Sequence, residues 1–152
     1  MEEYTKEYMK WAVENKHLLV PDAFLSLKKL KKAGLLVSLL TSRDKKTLFL
    51  HLNDVKIPID IFFFVQSPNG YSLQVTELKT FEPTIKQFEQ IGIPKEKLVY
   101  VGDTRFDLYA ARASEIKFIG VLTGAATKQE FKEQGVQNIL ESIADLPEFL
   151  DI

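Results

Sequence analysis

The sequence predicts a single α/β domain in which a parallel β-sheet carries helices on both faces. Short apolar runs bounded by turn residues alternate with segments of helical periodicity, and this alternation is typical of strand-helix-strand units. Such crossovers are right-handed, so the helices are expected on both faces of the sheet. The length of 152 residues suits one domain with a buried core, and the 45% hydrophobic and 27% charged residues are ordinary for a globular protein.

The predicted elements follow from the spacing of apolar side chains. Four apolar runs are predicted as strands: residues 35–40, 61–65, 98–101 and 117–122. Helices are predicted at residues 2–15, around residues 24–30, 48–52 and 85–91, and twice in the tail, where the two helices flank a brief extended segment. The stretch 67–81 interrupts this alternation of strands and helices. We expect a turn at residues 68–70 and a short hairpin arm at the edge of the sheet.

Charge and residue usage exclude several classes of protein. The formal net charge is −1, so the chain lacks the broad positive field that nucleic acid or an anionic membrane requires. It has no cysteine, which excludes disulfides and thiolate ligands to zinc. The charged N-terminus does not resemble a signal peptide, and no apolar run approaches the ~20 residues of a membrane span. We therefore predict a cytoplasmic protein that binds a small ligand or another protein.

The sequence VGDTRFD, residues 101–107, follows the third predicted strand directly. Asp103 and Asp107 are one helical turn apart, so both carboxylates can face the same point above the edge of the sheet, and Mg²⁺ prefers such oxygen ligands. The same residues also suit a helix start, in which Asp103 and Thr104 cap the helix and Asp107 complements its dipole. Spacing alone leaves a metal site and a helix cap open.

Other polar residues follow predicted strands or precede helices. Thr41 and Ser42 end the first strand, where a hydroxyl and backbone N–H groups can bind phosphate or cap a helix. Lys79 precedes a helix and can act as a point charge toward phosphate, although most lone lysines are solvated. Arg43 and Arg105 lie at the same rim and can assist an anion or pair with a nearby carboxylate.

The segment TGAAT, residues 123–127, follows the fourth predicted strand. Its small residues allow backbone to approach a ligand, but it lacks the glycine spacing of the known phosphate-binding loops. A loop that leads into a helix is the simpler interpretation.

Taken in order, these motifs resemble the haloacid dehalogenase-like (HAD) hydrolase superfamily, and its phosphoglycolate phosphatase-type members in particular. LLVSLLTSRD (35–44) resembles the family's second motif, LKTFEPTIKQFEQIGI (78–93) the third, and LVYVGDTRFDLYAARASEIKFIGVLTG (98–124) the fourth with the following strand. The resemblance implies a Rossmann-like core over residues 18–152. Residues 1–17 resemble the end of the family's helical cap.

The resemblance also implies roles for individual residues. Thr41, with Ser42, is expected to bind the phosphoryl group, and Lys79 to stabilise the phosphoaspartyl intermediate. Asp103 and Asp107 are expected to hold Mg²⁺, and the expected substrate is a small phosphorylated metabolite. One departure concerns the third motif, because the family usually has proline directly after the lysine and this chain has Thr80.

A larger departure is that the family's first motif, DxD at the end of a central strand, is missing. The chain has eight aspartates, and no two are separated by a single residue: 22, 44, 54, 60, 103, 107, 145 and 151. The nucleophile is therefore expected outside this chain, before Met1, and this chain alone should show little turnover. Without the central strand, the strands ending at Leu40 and Val101 must close up, admit a substitute or leave an unpaired gap.

Three interpretations of function stay open. In the first, the chain is a C-terminal portion of a Mg²⁺-dependent phosphatase. We then expect it to self-associate or to bind a complementing N-terminal segment. Alternatively, it is a catalytically inactive HAD-like module that binds a phosphate ligand or a protein. A third possibility is an ordinary doubly wound nucleotide-binding or receiver-like module, in which Asp103 is only a helix cap.

Overall fold

The computed structural model describes residues 19–67 and 81–152. Its helices are α1 (Ala23–Lys32), α2 (Lys45–Asp54), α3 (Glu82–Gln90), α4 (Arg105–Ala113), α5 (Lys128–Glu133) and α6 (Leu146–Phe149). Its strands are β1 (Ser38–Leu40), β2 (Phe64–Gln66), β3 (Val99–Gly102), β4 (Lys117–Val121) and β5 (Ile139–Leu140). Short 3₁₀ turns lie at Ile59–Ile61, Lys95–Lys97 and Ile143–Asp145.

All the strand pairs that the structure describes are parallel, and they form two sheets. In the first sheet β1 pairs with β2, with Leu39 opposite Val65. In the second, the order is β3-β4-β5, with Val101 opposite Ile119 and Val121 opposite Leu140. Parallel strands joined through helices confirm the predicted α/β fold.

The predicted elements are confirmed with shifted boundaries. The strand predicted at 35–40 is shortened to β1, because its pairing with the β2 segment begins where Phe63 N–H donates to the Val37 carbonyl. The strand predicted at 61–65 becomes β2, because a 3₁₀ turn that follows Pro58 still includes Ile61. The closing helix is brief and is preceded by a 3₁₀ turn. The helix predicted at 2–15 and the hairpin arm within 67–81 lie outside the described residues.

Helices on both faces hold the two sheets in one core. On one face, Leu30 of α1 belongs to a buried cluster that also includes Val37, next to β1, and Val101 of β3. On the other face, buried Phe81 packs in a cluster with Leu40 of β1 and Tyr100 of β3. The same two strands therefore contact shared apolar clusters above and below the sheet plane, although they belong to different sheets.

A cleft separates β1 from β3. Among the described residues no strand lies between them, and the cleft has a volume of about 1110 Å³. Of the three possible outcomes for this part of the sheet, the described residues show a gap between β1 and β3. None of the helices in residues 19–67 and 81–152 is long and apolar enough to cross a membrane.

Candidate active site at the carboxyl ends of β1 and β3

The residues singled out in the sequence lie at the carboxyl ends of two strands. β1 leads into Thr41 and Ser42, and β3 leads through Gly102 into Asp103. Open α/β sheets bind ligands at this edge, because the loops there carry free polar groups above the ends of the strands. The cleft opens at the same edge, since Leu40, Gly102 and Asp103 all line it.

Asp107 acts as part of a helix cap. Thr104 is the N-cap of α4, and its Oγ1 accepts a hydrogen bond from Asp107 N–H over 3.1 Å. In return, Asp107 Oδ2 accepts from Thr104 N–H over 2.9 Å, which completes a capping box. The same oxygen also accepts from the Thr104 hydroxyl over 2.6 Å and from Asp103 N–H over 3.2 Å. The helix-start interpretation is therefore correct for Thr104 and Asp107.

The second oxygen of Asp107 is engaged as well. The Tyr100 hydroxyl donates to Asp107 Oδ1 over 2.9 Å. Burial, followed by the charge of Asp107 and this hydrogen bond, raises the pKa of Tyr100, so the tyrosine remains a neutral donor. Both carboxylate oxygens of Asp107 thus accept hydrogen bonds from groups that fix the start of α4, including the backbone of Asp103.

Asp103 has a different environment. It is half-buried, and among the described residues no hydrogen bond to its carboxylate oxygens is found apart from that of its own backbone N–H. Burial, and then the nearby charge of Asp107, raises the pKa of Asp103. A nearby cation stabilises the ionised form of a carboxylate that is partly desolvated and lies beside a second carboxylate. Asp103 is thus the member of the pair whose lone pairs are open to a ligand.

The loop after β4 lies directly against this carboxylate. A Cβ atom at Gly124 would stand 2.2 Å from both Asp103 Cγ and Oδ2, so any larger residue there would collide with the side chain. Ala126 N–H also donates to the Asp103 carbonyl over 3.0 Å. Within the TGAAT segment, Gly124 therefore leaves room for the Asp103 side chain.

Gly102 has a similar steric role beneath Asp107. A Cβ atom there would stand 2.4 Å from Asp107 Cβ. The glycine of the GDTRFD motif therefore allows the capping carboxylate to fold back over the end of β3.

The loop after β1 is tied to its neighbours through backbone and side-chain hydrogen bonds. Thr41 N–H donates to the Gln66 carbonyl over 3.0 Å, and Thr41 Oγ1 accepts from Arg43 N–H over 3.1 Å. The Ser67 hydroxyl donates to the Arg43 carbonyl over 2.6 Å. The Thr41 oxygen is thus an acceptor within its own loop, and among the described residues no bond donated by its hydroxyl hydrogen is found.

The helix that follows Thr41 already has an anion at its start. Asp44 is the N-cap of α2 and accepts from Lys46 N–H over 2.9 Å and Thr47 N–H over 3.1 Å. Burial pushes the pKa of Asp44 upward, but the hydrogen bonds from Thr47 and Lys46 outweigh it, and the net shift is downward. Because the first turn of α2 is already capped by this carboxylate, a phosphate bound at this loop would contact the Thr41 hydroxyl and the loop backbone instead.

The remaining candidates are dispersed. Lys79 lies outside the described residues. Arg105 pairs with Glu130, with 3.7 Å between Arg105 Nε and Glu130 Oε1. Tyr100 and Gly124 were not singled out from the sequence. The signal for Tyr100 was its place in the strand that ends at the GD motif, whereas the signal for Gly124 is a contact between two loops that spacing does not reveal.

The acidic residues at this edge are compatible with a Mg²⁺ ion. No group of three or more His, Asp or Glu side chains that could hold a metal occurs within residues 19–67 and 81–152. Mg²⁺ does not need such a cage, because it binds through one or two carboxylates and otherwise keeps water and phosphate ligands. The open carboxylate of Asp103 at the edge of the sheet provides one such ligand.

Together these features define an α/β protein with an acidic site at the carboxyl ends of its parallel strands. A family model of the haloacid dehalogenase-like hydrolases matches residues 1–121. The match covers most of the 152 residues, and the chain belongs to this family. A comparison with curated proteins found no match.

Solved structures show the same fold. A hydrolase from Pseudomonas syringae is 25% identical, with a TM-score of 0.71 over 87% of this chain and 58% of its own. A haloacid dehalogenase-like family protein from Streptococcus pneumoniae is 15% identical, with a TM-score of 0.70 over 87% and 60%. A predicted phosphoglycolate phosphatase from Haemophilus somnus 129PT is 17% identical, with a TM-score of 0.75 over 98% and 66%. The chain thus spans about three fifths of the length of these structures.

Proposed function

We propose that this chain carries the Mg²⁺-binding and phosphoryl-binding residues of a phosphoric monoester hydrolase that acts on a small phosphorylated metabolite. The observation that carries the proposal is the contrast between the two aspartates. Asp107 is held by protein donors on both oxygens, whereas Asp103 presents an open, half-buried carboxylate at the edge where parallel sheets bind ligands. A helix cap alone requires only the first of these arrangements.

The proposed roles follow from the chemistry of each group. Asp103 is a direct ligand of Mg²⁺, and Asp107 positions it through the Asp103 backbone N–H. When bound, Mg²⁺ supplies positive charge that neutralises and orients phosphoryl oxygens. Thr41 donates its hydroxyl hydrogen to a phosphoryl oxygen, assisted by Ser42 N–H. Lys79 contributes a positive charge toward the same group, as the family resemblance implies.

The nucleophile is the missing part of this chemistry. Phosphoryl transfer through a covalent intermediate needs an attacking carboxylate and an adjacent acid or base. No two aspartates in this sequence are separated by one residue, and Asp107 is engaged in its capping box. We therefore propose that catalysis requires an aspartate from outside these 152 residues, and that this chain alone has little turnover.

The second candidate function is a catalytically inactive module that binds a phosphate ligand through the same groups. The absence of paired aspartates from the sequence favours it. The two functions differ in what happens when an Asp-x-Asp segment is supplied as a separate polypeptide. Restored hydrolysis supports the hydrolase, whereas phosphate binding without hydrolysis supports the inactive module.

The experiment that tests the metal site is Mg²⁺ binding by calorimetry to the unmodified chain, Asp103→Asn and Asp145→Asn. Asp145 is the matched control, because its carboxylate accepts from Ser142 N–H in a separate capping box. We expect Asp103→Asn to weaken Mg²⁺ affinity at least tenfold and Asp145→Asn to leave it unchanged. Equal affinity in all three proteins would refute the role of Asp103.

A hydrolysis assay tests the location of the nucleophile. We expect this chain to leave p-nitrophenyl phosphate intact in the presence of Mg²⁺. Mg²⁺-dependent turnover that Asp103→Asn abolishes would place a nucleophile inside the chain and contradict that part of the proposal.

A further inference from the structure

The first turn of α3 carries two buried side chains that contact different parts of the candidate site. Phe81 is the N-cap of the helix and Thr84 lies three residues later, so the two share one face of the turn. Only 1% of Phe81 and 6% of Thr84 is exposed. Pro83 lies between them, where its fixed φ suits the start of a helix. The backbone that joins the two side chains is therefore stiff.

Thr84 contacts the strand that supports the loop beginning at Thr41 (the Thr41 loop). Its hydroxyl donates a hydrogen bond to Gln66 Oε1 over 2.6 Å. Gln66 is the last residue of β2, and its backbone carbonyl accepts from Thr41 N–H over 3.0 Å. One residue of β2 thus contacts α3 through its side chain and the Thr41 loop through its backbone.

The hydroxyl of Thr84 does more than fill space. Valine has nearly the shape of threonine and packs in a core without a polar group that has to be paired. The bond to Gln66 offsets the cost of burying the Thr84 hydroxyl, and it also fixes the orientation of the Gln66 side chain. Packing by a valine at this position would not fix that orientation.

Phe81 contacts the other half of the site. Its ring centroid is 4.6 Å from that of Tyr100, and the two ring planes are inclined by 44°. Such close packing fixes the plane of the Tyr100 ring and the direction of its hydroxyl. That hydroxyl donates to Asp107 Oδ1, and Asp107 Oδ2 accepts from Asp103 N–H. A path of direct contacts therefore runs from Phe81 to the backbone of Asp103.

The two paths end on opposite sides of the site. Thr41 follows β1, in the two-stranded sheet, whereas Asp103 follows β3, in the three-stranded sheet. The first turn of α3 contacts both sheets, through Thr84 on the first and Phe81 on the second. Phosphoryl transfer depends on the accurate placement of such groups, because catalysis there consists mainly of positioning and charge stabilisation.

We propose that the first turn of α3 positions the two halves of the site relative to each other. Thr84 positions the Thr41 loop, and Phe81 positions the backbone of Asp103. Neither side chain is assigned a contact with the ligand, so both are positioning residues. The inference rests on the proposed function in one respect, since it takes Thr41 and Asp103 as the phosphoryl-binding and Mg²⁺-binding residues.

Amide exchange measured by NMR on the whole chain tests the path from Thr84. We expect Thr84→Val, which removes the hydroxyl, to speed exchange of the Thr41 N–H about tenfold. Thr84→Ser retains the hydroxyl and should leave that rate within about twofold of the unmodified chain. Ser26→Ala is the matched control, because it removes another buried hydroxyl, which donates to the Asp22 carbonyl in α1. The Asp103 N–H should keep its rate in all three variants.

The path from Phe81 predicts the opposite pattern. Phe81→Leu removes the aromatic ring, and we expect the Asp103 N–H to exchange about tenfold faster while the Thr41 N–H keeps its rate. Phe88→Leu is the matched control, since Phe88 is buried on the same helix and its ring lies 5.1 Å from that of Phe63. Thermal melting shows whether each variant is folded. Phe81→Met, which is closer in volume to the original side chain, replaces a leucine variant that does not fold.

Ligand binding separates this inference from the proposed function. Calorimetry should show that Thr84→Val weakens the binding of inorganic phosphate, and that Phe81→Leu weakens the binding of Mg²⁺, each about tenfold. If the unmodified chain binds neither ligand but the exchange pattern holds, the proposed function fails and the positioning role stands.

Three results overturn the inference. The first is unchanged exchange of the Thr41 and Asp103 N–H groups in Thr84→Val and Phe81→Leu. The second is a serine variant at position 84 that behaves like the valine variant, because the hydroxyl would then have no role. The third is an equal effect of Phe81→Leu and Phe88→Leu on the Asp103 N–H, which would show that only general packing is disturbed.

Discussion

The Tyr100 hydroxyl of β3 donates a hydrogen bond to Asp107 Oδ1 of α4 over 2.9 Å, directly beneath the loop that carries Asp103. The opposite oxygen of Asp107 accepts from the backbone N–H groups of Asp103 and Thr104. The strand, the loop and the first turn of the helix are therefore joined through one carboxylate. Both oxygens of Asp107 are thus engaged within the protein, as its proposed positioning role requires.

Removing the Tyr100 hydroxyl should destabilise the chain without removing the metal ligand. Tyr100→Phe leaves Asp107 Oδ1 without its donor, and we expect a loss of about 1–3 kcal/mol in the free energy of unfolding. Urea denaturation measures the change, and Tyr109→Phe on the exposed side of α4 is the matched control. An equal effect of the two variants would show that the Tyr100 hydrogen bond contributes nothing.

Asp103→Asn should raise the stability of the chain while it weakens Mg²⁺ binding. Because the folded pKa of Asp103 is raised, the folded state binds its proton more tightly than the unfolded state, and ionisation costs stability as pH rises through that range. At pH 7, and without metal, we expect a gain of a few tenths to about 1 kcal/mol, discounted because the group is half exposed.

The pH dependence of this gain is the control. The gain in stability should vanish as the pH falls below 3.8, the ordinary pKa of an aspartate, because Asp103 is then protonated in both states. Urea titrations of both proteins across this range, without Mg²⁺, provide the measurement. A variant that is less stable at pH 7 would show that the Asp103 carboxylate has a stabilising partner.

Gly124→Ala should disturb the Asp103 carboxylate through a steric contact. The added methyl group lies 2.2 Å from Asp103 Cγ, so the side chain or the loop must move. We expect Mg²⁺ affinity to fall at least tenfold and stability to fall by about 1–3 kcal/mol.

Gly135→Ala is the control for the strain of the substitution itself. Gly135 has a φ of +71° and open space around it, so alanine there costs roughly 1 kcal/mol without touching the site. Unchanged Mg²⁺ affinity in both variants would mean that the position of Asp103 does not depend on Gly124.

Asp44→Ala should destabilise the loop that follows Thr41. Asp44 accepts two backbone hydrogen bonds at the start of α2, and the loss of such a cap costs about 0.5–2 kcal/mol. Because the folded pKa of Asp44 is lowered, this contribution is present above the unfolded pKa and is lost as pH falls through the folded pKa. Thermal melts at pH 7 and at low pH measure it, and Asp60→Ala is the control. A pH-independent difference from the unmodified chain would contradict this account.

The sequence by itself determined the parallel α/β fold and the end of the strand at which the acidic motif lies. These features depend on apolar spacing and on turn residues, which act over a few positions. It also left the two aspartates undecided, because a spacing of four residues serves a capping box and a metal site equally well. Only the donors around each carboxylate distinguish them, and the hydroxyl of Tyr100 reaches Asp107 because the strand and the helix pack together.

The tertiary structure alone decided two further features. The contact between Gly124 and Asp103 joins loops that follow different strands, and no local pattern encodes the distance between them. The sequence allowed three outcomes for the space between β1 and β3, and the described residues show a cleft there. The physical reason is the same in both cases, because backbone pairing and close packing depend on which segments meet in space. Spacing along the chain specifies only the secondary structure and the exposed side chains of each segment.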